Sequence, residues 1–401
     1  MQWKKVIIED RFLSILAFLG VLLVIASFYF NSWLIFGAGL LIILITAANS
    51  YYLNHIGEGL VFENKRERNR FFIGDNGEWS LHFANHGLPI MKARLTVYFD
   101  SAVIPVSGEF HIHQSKVDVG MPVSMSRKEQ IVIKIPFKAD RRGMSKIRRL
   151  ELHIPHFFGF GDTILEFKDV INREALVFPR PISVRNIDKH KSFRPGTSTS
   201  LFSVFEDNMG PVGTRDYLPT DSFNRINWKA SARRMTLQTK EFERITEAGA
   251  VLFVNVVDGF SVTVMLEFLM SSITEMAYFF HKANIPFSLC MNIRSAGATP
   301  FTYIPLGSGK DHLQKLLDIL AIADHHSPTI PYDKMLFFYK RHFPVAPTMI
   351  HTGIRTEGAD IYFKDFGRDG IQLLELQRHV AVEEEAFLGP LQLMMKEVAM
   401  K

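Results

Sequence analysis

The chain of 401 residues contains one cysteine, Cys290. That excludes an internal disulfide and any metal site built from several cysteines. Cys290 lies in the apolar run IPFSLCMN with no base beside it in sequence, and it reads as a buried thiol rather than a nucleophile. Catalytic signatures are also missing. The chain has no Gly-x-Ser-x-Gly elbow, no His-Glu-x-x-His pair and no Walker-type phosphate loop. Leu306-Gly307-Ser308-Gly309-Lys310 is glycine-rich but completes no such pattern, so it reads as a loop leading into a helix cap. The third absence is of charge: residues 12–54 contain no Lys, Arg, Asp or Glu.

That uncharged stretch holds two apolar runs, 12–30 and 33–51, separated by Asn31-Ser32. Each is close to the ~20 residues that a membrane-spanning helix needs. Tyr29, Trp33, Tyr51 and Tyr52 stand near the run ends, where an interfacial aromatic belt would place them. Lys4, Lys5 and Arg11 precede the runs, and Lys65, Arg66, Arg68 and Arg70 follow them. The positive-inside rule then predicts a two-helix transmembrane hairpin over 1–58 with both ends in the cytoplasm. A hydrophobic share of 47% and a mean hydropathy of +0.07 fit a short membrane part on a larger soluble one. The net charge of +5 comes from 46 basic against 41 acidic residues, too thin an excess to point to nucleic acid.

Over 59–181 the apolar residues alternate. Trp79, Leu81 and Phe83 do so, as do Leu95, Val97 and Phe99, Ile131 to Phe137, and Leu150, Leu152 and Ile154. Turn residues such as Gly74-Asp75-Asn76-Gly77 separate the runs, which predicts an all-β antiparallel sandwich. This region carries His82, His86, His111, His113, His153 and His156. His111 and His113 would share one strand face, but spacing places no carboxylate or third ligand beside them. From 248 to 401 the pattern is α/β. VLFVNVV at 251–257 reads as a strand covered on both faces. Helical periods follow at 266–280, 311–323 and 334–342, with strands at 286–291, 348–351 and 371–376 and a helix from Val382. Such alternation predicts a doubly wound sheet.

Between these domains, 182–247 reads as a linker ending in an unusual segment, GPVGTRDYLPTDSFNRINWKASARRMTLQTKEFE at 210–243. It is dense in Arg215, Asp216, Tyr217, Asp221, Arg225, Trp228, Lys229, Ser231, Arg233, Lys240 and Glu241. With no clear period in its first half and Pro219 blocking a helix, it is expected to be held by side-chain networks rather than backbone ladders. The order of Gly213, Arg215, Tyr217, Pro219 and Asp221, then Arg225, Ile226 and Trp228, then Ser231, Ala232 and Arg233, then Lys240 and Glu241, resembles the signature of the bacterial family called Domain of Unknown Function 58. Thr220 stands where that family usually has Gly. Asp140 to Gly143, His156 to Phe160 and Val177 to Arg180 resemble further landmarks of it, with His156 and Phe157 replacing the usual Asp-Pro.

The resemblance implies a von Willebrand factor A-like C-terminal domain. Such domains can hold Mg²⁺ on an Asp-x-Ser-x-Ser loop after the first strand. Here Asp258 would be the Asp, but Phe260 and Val262 occupy the hydroxyl positions, with Ser261 and Thr263 one residue out of step. No cofactor is expected on that ground, and Asp258 is the single candidate metal residue. The resemblance also implies partnership with a MoxR-type AAA+ ATPase. The expectation is therefore a membrane-anchored, non-enzymatic adaptor in membrane or envelope complex assembly that binds no nucleic acid. Its docking candidates are Arg215, Asp216, Tyr217, Asp221, Arg225, Trp228, Lys229, Arg233 and Lys240. The rival is a metal-dependent hydrolase acting near Asp258.

Overall fold

The computed structural model describes residues 2–9, 11–155, 161–187, 206–219, 221–244, 249–378 and 385–392. The chain forms two compact units, Met1–Phe178 and Pro179–Lys401. The sequence landmarks at 156–160, the Thr/Ser run at 197–200 and Thr220 lie outside the described residues.

The first unit opens on strand β1 (Trp3–Glu9), ahead of two apolar helices, α1 (Arg11–Tyr29) and α2 (Trp33–His55). By length and composition α2 is long and apolar enough to cross a membrane. The helices approach closely where Gly20 faces Gly39. A Cβ on Gly39 would stand 2.9 Å from the Gly20 carbonyl and from Val24, so that position has no room for a side chain, and one on Gly20 would press on Ile42 and Ile43 at 3.0 Å.

The rest of the unit is β2 (Leu60–Phe62), β3 (Glu67–Phe72), β4 (Asn76–Asn85), β5 (Ile90–Asp100), β6 (Val103–Pro105), β7 (Glu109–His113), β8 (Lys116–Met125), β9 (Glu129–Ala139), β10 (Gly143–Pro155), β11 (Gly161–Phe167) and β12 (Arg173–Phe178). One sheet runs β1-β11-β10-β5-β8-β7, with β12 paired to β10 and β3 to β12. The other runs β2-β4-β9-β6. All pairings are antiparallel except β3 with β12. Their inner faces share one core, in which Trp79 of β4 meets Phe99 of β5 edge-on at 4.7 Å. Alternation along β10 breaks once. A bulge at Arg148 lets both Ile147 and Leu150 face inward while the Arg148 guanidinium binds Asp100 at 2.9 Å.

β1 ties the two ends of the helix pair together. Trp3, 1% exposed, donates its indole N–H to the Leu60 carbonyl at 3.0 Å and packs against Phe83 and Phe167. Lys5 Nζ donates to the Ile56 carbonyl at 3.0 Å, and the Phe62 amide donates to Gln2 Oε1 at 3.0 Å. Residues before α1 and after α2 thus lie in one core.

The second unit contains β13 (Ser183–Arg185), β14 (Glu206–Asp216), α3 (Trp228–Arg234), β15 (Gln238–Arg244), β16 (Ala250–Asn255), β17 (Val257–Asp258), β18 (Ser261–Val262), α4 (Leu266–Lys282), β19 (Phe287–Arg294), β20 (Phe301–Gly307), α5 (Lys310–Ile322), α6 (Tyr332–His342), β21 (Thr348–Gly353), α7 (Glu357–Arg368), β22 (Gln372–Arg378) and β23 (Glu385–Pro390). The main sheet has the order β13-β23-β22-β21-β16-β19-β20. Strands β22, β21, β16 and β19 are parallel, and β20 and β23 run antiparallel beside them. Helices cover both faces. Phe287 of β19 packs on Phe280 of α4 and His312 of α5, whereas Val251, Phe253 and Cys290 form a core with Tyr339 of α6 and Phe363 of α7. Burial drives the Cys290 thiol pKa well up, which suits an inert core residue.

The sequence reading overlooked β1, β13, β20 and α7. It also expected a helix from Val382, where 385–390 form strand β23 and 393–401 lie outside the described residues. Strand formation there follows from pairing: β23 completes ladders with β22 and β13 that local periodicity cannot reveal.

Trp3→Ala removes the largest side chain that closes the helix pair onto the sandwich. Denaturant unfolding should show this unit destabilised by roughly 3–5 kcal/mol. An unchanged midpoint would mean that β1 does not belong to the core.

Candidate functional site

The signature segment folds around its own small ladder. β14 and β15 pair antiparallel, with Gly213 opposite Glu241, Thr214 opposite Lys240, Arg215 opposite Thr239 and Asp216 opposite Gln238. A backbone ladder therefore holds 210–216, contrary to the expectation that side chains alone would do so. Residues 217–237 form a compact excursion between the two strands. The Tyr217 amide donates to the Leu237 carbonyl at 2.9 Å, and the Asn227 amide donates to the Gln238 carbonyl at 2.8 Å. Asn227 caps α3, its Oδ1 accepting the Ala230 amide at 3.2 Å. The helix ends at Met235 in the left-handed conformation (φ 55°), which turns the chain back into β15. Buried Ser231 locks that return. Its hydroxyl donates to the Asn227 carbonyl at 2.8 Å and accepts the Gln238 amide at 2.9 Å.

Asp221 is the hub. Arg215 grips it bidentately, Nη1 on Oδ2 and Nη2 on Oδ1, both at 2.7 Å. The Leu218 amide and the Thr239 hydroxyl donate to Oδ2 at 3.0 and 3.1 Å. Four donors stabilise the ionised form, Arg215 most of all, and hold the carboxyl pKa down at about 2. Beside it, Gln238 Nε2 donates to Asp216 Oδ1 at 2.5 Å.

The structure thus joins Arg215, Asp216 and Asp221 into one network. It adds Gln238, Thr239, Asn227 and Ser231, of which only Asn227, an N-capping residue type just before a helix, carried a local signal. Tyr217 is half-buried with its ring edge toward Phe223 at 6.3 Å. Arg225 is half-buried at the end of a single 3-10 turn, and Lys240 sits on β15 opposite Thr214. Trp228, Lys229 and Arg233 stand outside the network on the exposed side of α3. Trp228 is 62% exposed. Around it Leu218, Phe223, Met235 and Leu237 are also exposed, interleaved with Lys229, Arg233 and Arg234. Apolar side chains in a polar loop were the sequence signal for this patch.

The candidate metal residue lies elsewhere in the unit. In a doubly wound sheet ligands bind outside the carboxyl ends of the strands where the winding reverses, here between β16 and β21. That crevice is plugged. Asn255, 1% exposed, donates to the Ile354 carbonyl at 2.5 Å and accepts from Asn292 Nδ2 at 2.8 Å, while Asn292 Oδ1 takes the Val256 amide at 2.8 Å. Gly353 lies so close to the Asn255 carbonyl that no Cβ fits. Asp258 is exposed on the tiny β17–β18 hairpin opposite Ser261, and the Thr263 hydroxyl accepts the Met265 amide at 3.2 Å at the start of α4. These groups do not form the hydroxyl–carboxylate set that Mg²⁺ requires.

The depressed Asp221 pKa fixes a pH dependence. Its contribution to stability is fully present above the ordinary Asp value of 3.8 and is lost as pH falls toward about 2. The stability difference between the native chain and Asp221→Asn, measured by denaturant unfolding from pH 6 downward, should shrink across that window. A difference independent of pH would remove the ion pair from the account.

The model of a family described as "Protein of unknown function DUF58" matches residues 213–336, from the first glycine of the signature into α6. The "Uncharacterized protein YeaD" of Bacillus subtilis (strain 168) is 25% identical over 239 residues, covering 59% of this chain and 47% of the relative. The chain thus spans about half the length of the curated relative it matches. Among solved structures, the CARDB domain of a Pyrococcus furiosus protein covers 29% of this chain and 91% of its own at 14% identity and a TM-score of 0.18. A non-cellulosomal cohesin from Archaeoglobus fulgidus covers 28% and 85% at 9% identity and a TM-score of 0.19. Neither likeness bears on fold or function at such TM-scores. The segment that carries the Arg215–Asp221 network is thus similar to the family described as protein of unknown function DUF58.

Proposed function

We propose that this protein is a membrane-anchored, non-enzymatic adaptor that docks a protein partner through the exposed side of α3. The observation that carries the reading is the patch of Leu218, Phe223, Trp228, Met235 and Leu237 with Lys229, Arg233 and Arg234. Large apolar groups held on a rigid, hydrogen-bonded base and mixed with Arg are the residue types that anchor interfaces. The basic groups favour a partner surface of acidic character. The Arg215–Asp221 network serves to hold that surface still. Following the family resemblance, the partner is a MoxR-type AAA+ ATPase, and the setting is assembly of membrane or envelope complexes. A von Willebrand factor A-like identity for the second unit is supported by its strand order, β20-β19-β16-β21-β22 with β20 antiparallel at the edge.

The anchor is the helix pair. At 1.5 Å per residue α1 and α2 extend about 28 and 34 Å, near the ~30 Å of a bilayer core. The hydrogen bonds of Trp3, Lys5 and Gln2 to residues 56–62 support a chain that returns to the side it left. On this reading the chain crosses twice, as a hairpin with Asn31 at its far turn. Basic residues at both ends favour the cytoplasm for the soluble units.

Two measurements test this. Full-length protein in mild detergent should capture an AAA+ ATPase that a folded Trp228→Ala, Arg233→Ala variant captures at least about tenfold less well, as loss of a central aromatic and an Arg implies. Equal capture by both would move the interface off α3, and no ATPase captured by either would sink the partner. Separately, Asn31→Cys should react with a membrane-impermeant maleimide in intact cells, and Lys4→Cys only after permeabilisation. The opposite pattern would invert the orientation, and equal labelling of both would dismiss the hairpin.

A further inference from the structure

Strand β7 forms one edge of the larger sheet of the first unit, and all five of its residues are exposed. It joins β8 through Gln114-Ser115, with Gln114 at φ 47°. Alternation puts His111 and His113 on one face, and register sets His111 opposite Asp118. The Asp118 carboxylate lies between the two rings: His111 Nδ1 is 3.3 Å from Oδ2 and His113 Nε2 is 3.3 Å from Oδ1. The rings stand 6.3 Å apart at 24°.

We propose that His111, His113 and Asp118 bind a divalent transition-metal ion, zinc foremost. Two ligands held tetrahedrally at zinc's usual bond lengths stand about 3.3 Å apart, the separation each imidazole nitrogen already has from its carboxylate oxygen. A tetrahedral ion linking two imidazoles leaves their ring centres about 5.2 Å apart, so the rings must approach by roughly 1 Å, within reach of side-chain rotation on the strand. Two imidazoles and one carboxylate are a donor set suited to zinc, with the fourth position left to water or another ligand. At present the rings clasp the carboxylate itself, and among the described residues no group of three or more His, Cys, Asp or Glu side chains is arranged to hold a metal ion as it stands. Closing the site requires only that the rings turn. They are 68% and 73% exposed, whereas the Asp118 side chain is 18% exposed and fixed between β5 and β7. Lys116, opposite His113 on the same face, opposes the cation by charge. Its removal tightens binding.

The test is a zinc titration of the chelator-stripped full-length protein in detergent against a chromophoric competitor. The expected result is one zinc per chain. Binding should weaken roughly tenfold or more in His111→Ala, His113→Ala and Asp118→Asn, and strengthen in Lys116→Ala, with unchanged circular dichroism. Should an alanine variant lose the hairpin, His111→Gln with His113→Gln keeps polar side chains there and must still lose the ion. No zinc bound by the native chain, or equal affinity in the native chain and the double histidine variant, overturns the site. Native affinity in Asp118→Asn overturns the carboxylate's part in it.

Discussion

One carboxylate, that of Asp221, sets the shape of the signature segment. Its two oxygens take four hydrogen bonds from three directions: the end of β14, the turn after it and β15. A carboxylate so surrounded stays ionised, and an ionised Asp is costly to leave unpaired, so Arg215, Leu218 and Thr239 are held to it. Ser231 and Asn227 then close the remainder with hydroxyl and amide bonds, and α3 has little freedom.

Holding α3 still has a consequence at its surface. A seven-residue helix is too short to persist alone, so its order comes from the network beneath it. Its outward side chains are therefore presented on a rigid base, and Trp228 stays 62% exposed instead of folding onto the segment. The polar half of the signature builds, and the apolar half is left exposed. At the strand ends where such sheets bind ligands, the same unit carries the hydrogen-bonded Asn255 and Asn292.

In the first unit the comparable constraint is the indole of Trp3. Its bond to Leu60 and its contacts with Phe83 and Phe167 put β1, β2, β4 and β11 into one core on either side of the apolar helices. The two apolar helices thus lie between two strands of one core. Close approach at Gly20 and Gly39 keeps the two helices side by side.

Several features were legible without coordinates because they depend on local chemistry. Uncharged runs of helical length, alternation at Trp79, Leu81 and Phe83, and the continuous apolar strand at β16 each follow from which face of a residue meets water. The signature was legible as a density of Arg, Asp and aromatic residues in fixed order. What the sequence could not supply were relations between residues far apart in it. β1 finds β11 more than 150 positions away, β23 completes two ladders where local pattern favoured a helix, and Thr239 reaches Asp221 from the opposite strand. Trp228 was legible as a docking candidate, but only the fold shows its ring turned outward. His111 and His113 were visible as a pair, but Asp118 came between them only when the β7–β8 register was set. Side-chain polarity and period decide the elements. Long-range pairing decides which side chains meet, and therefore which of them are left to act.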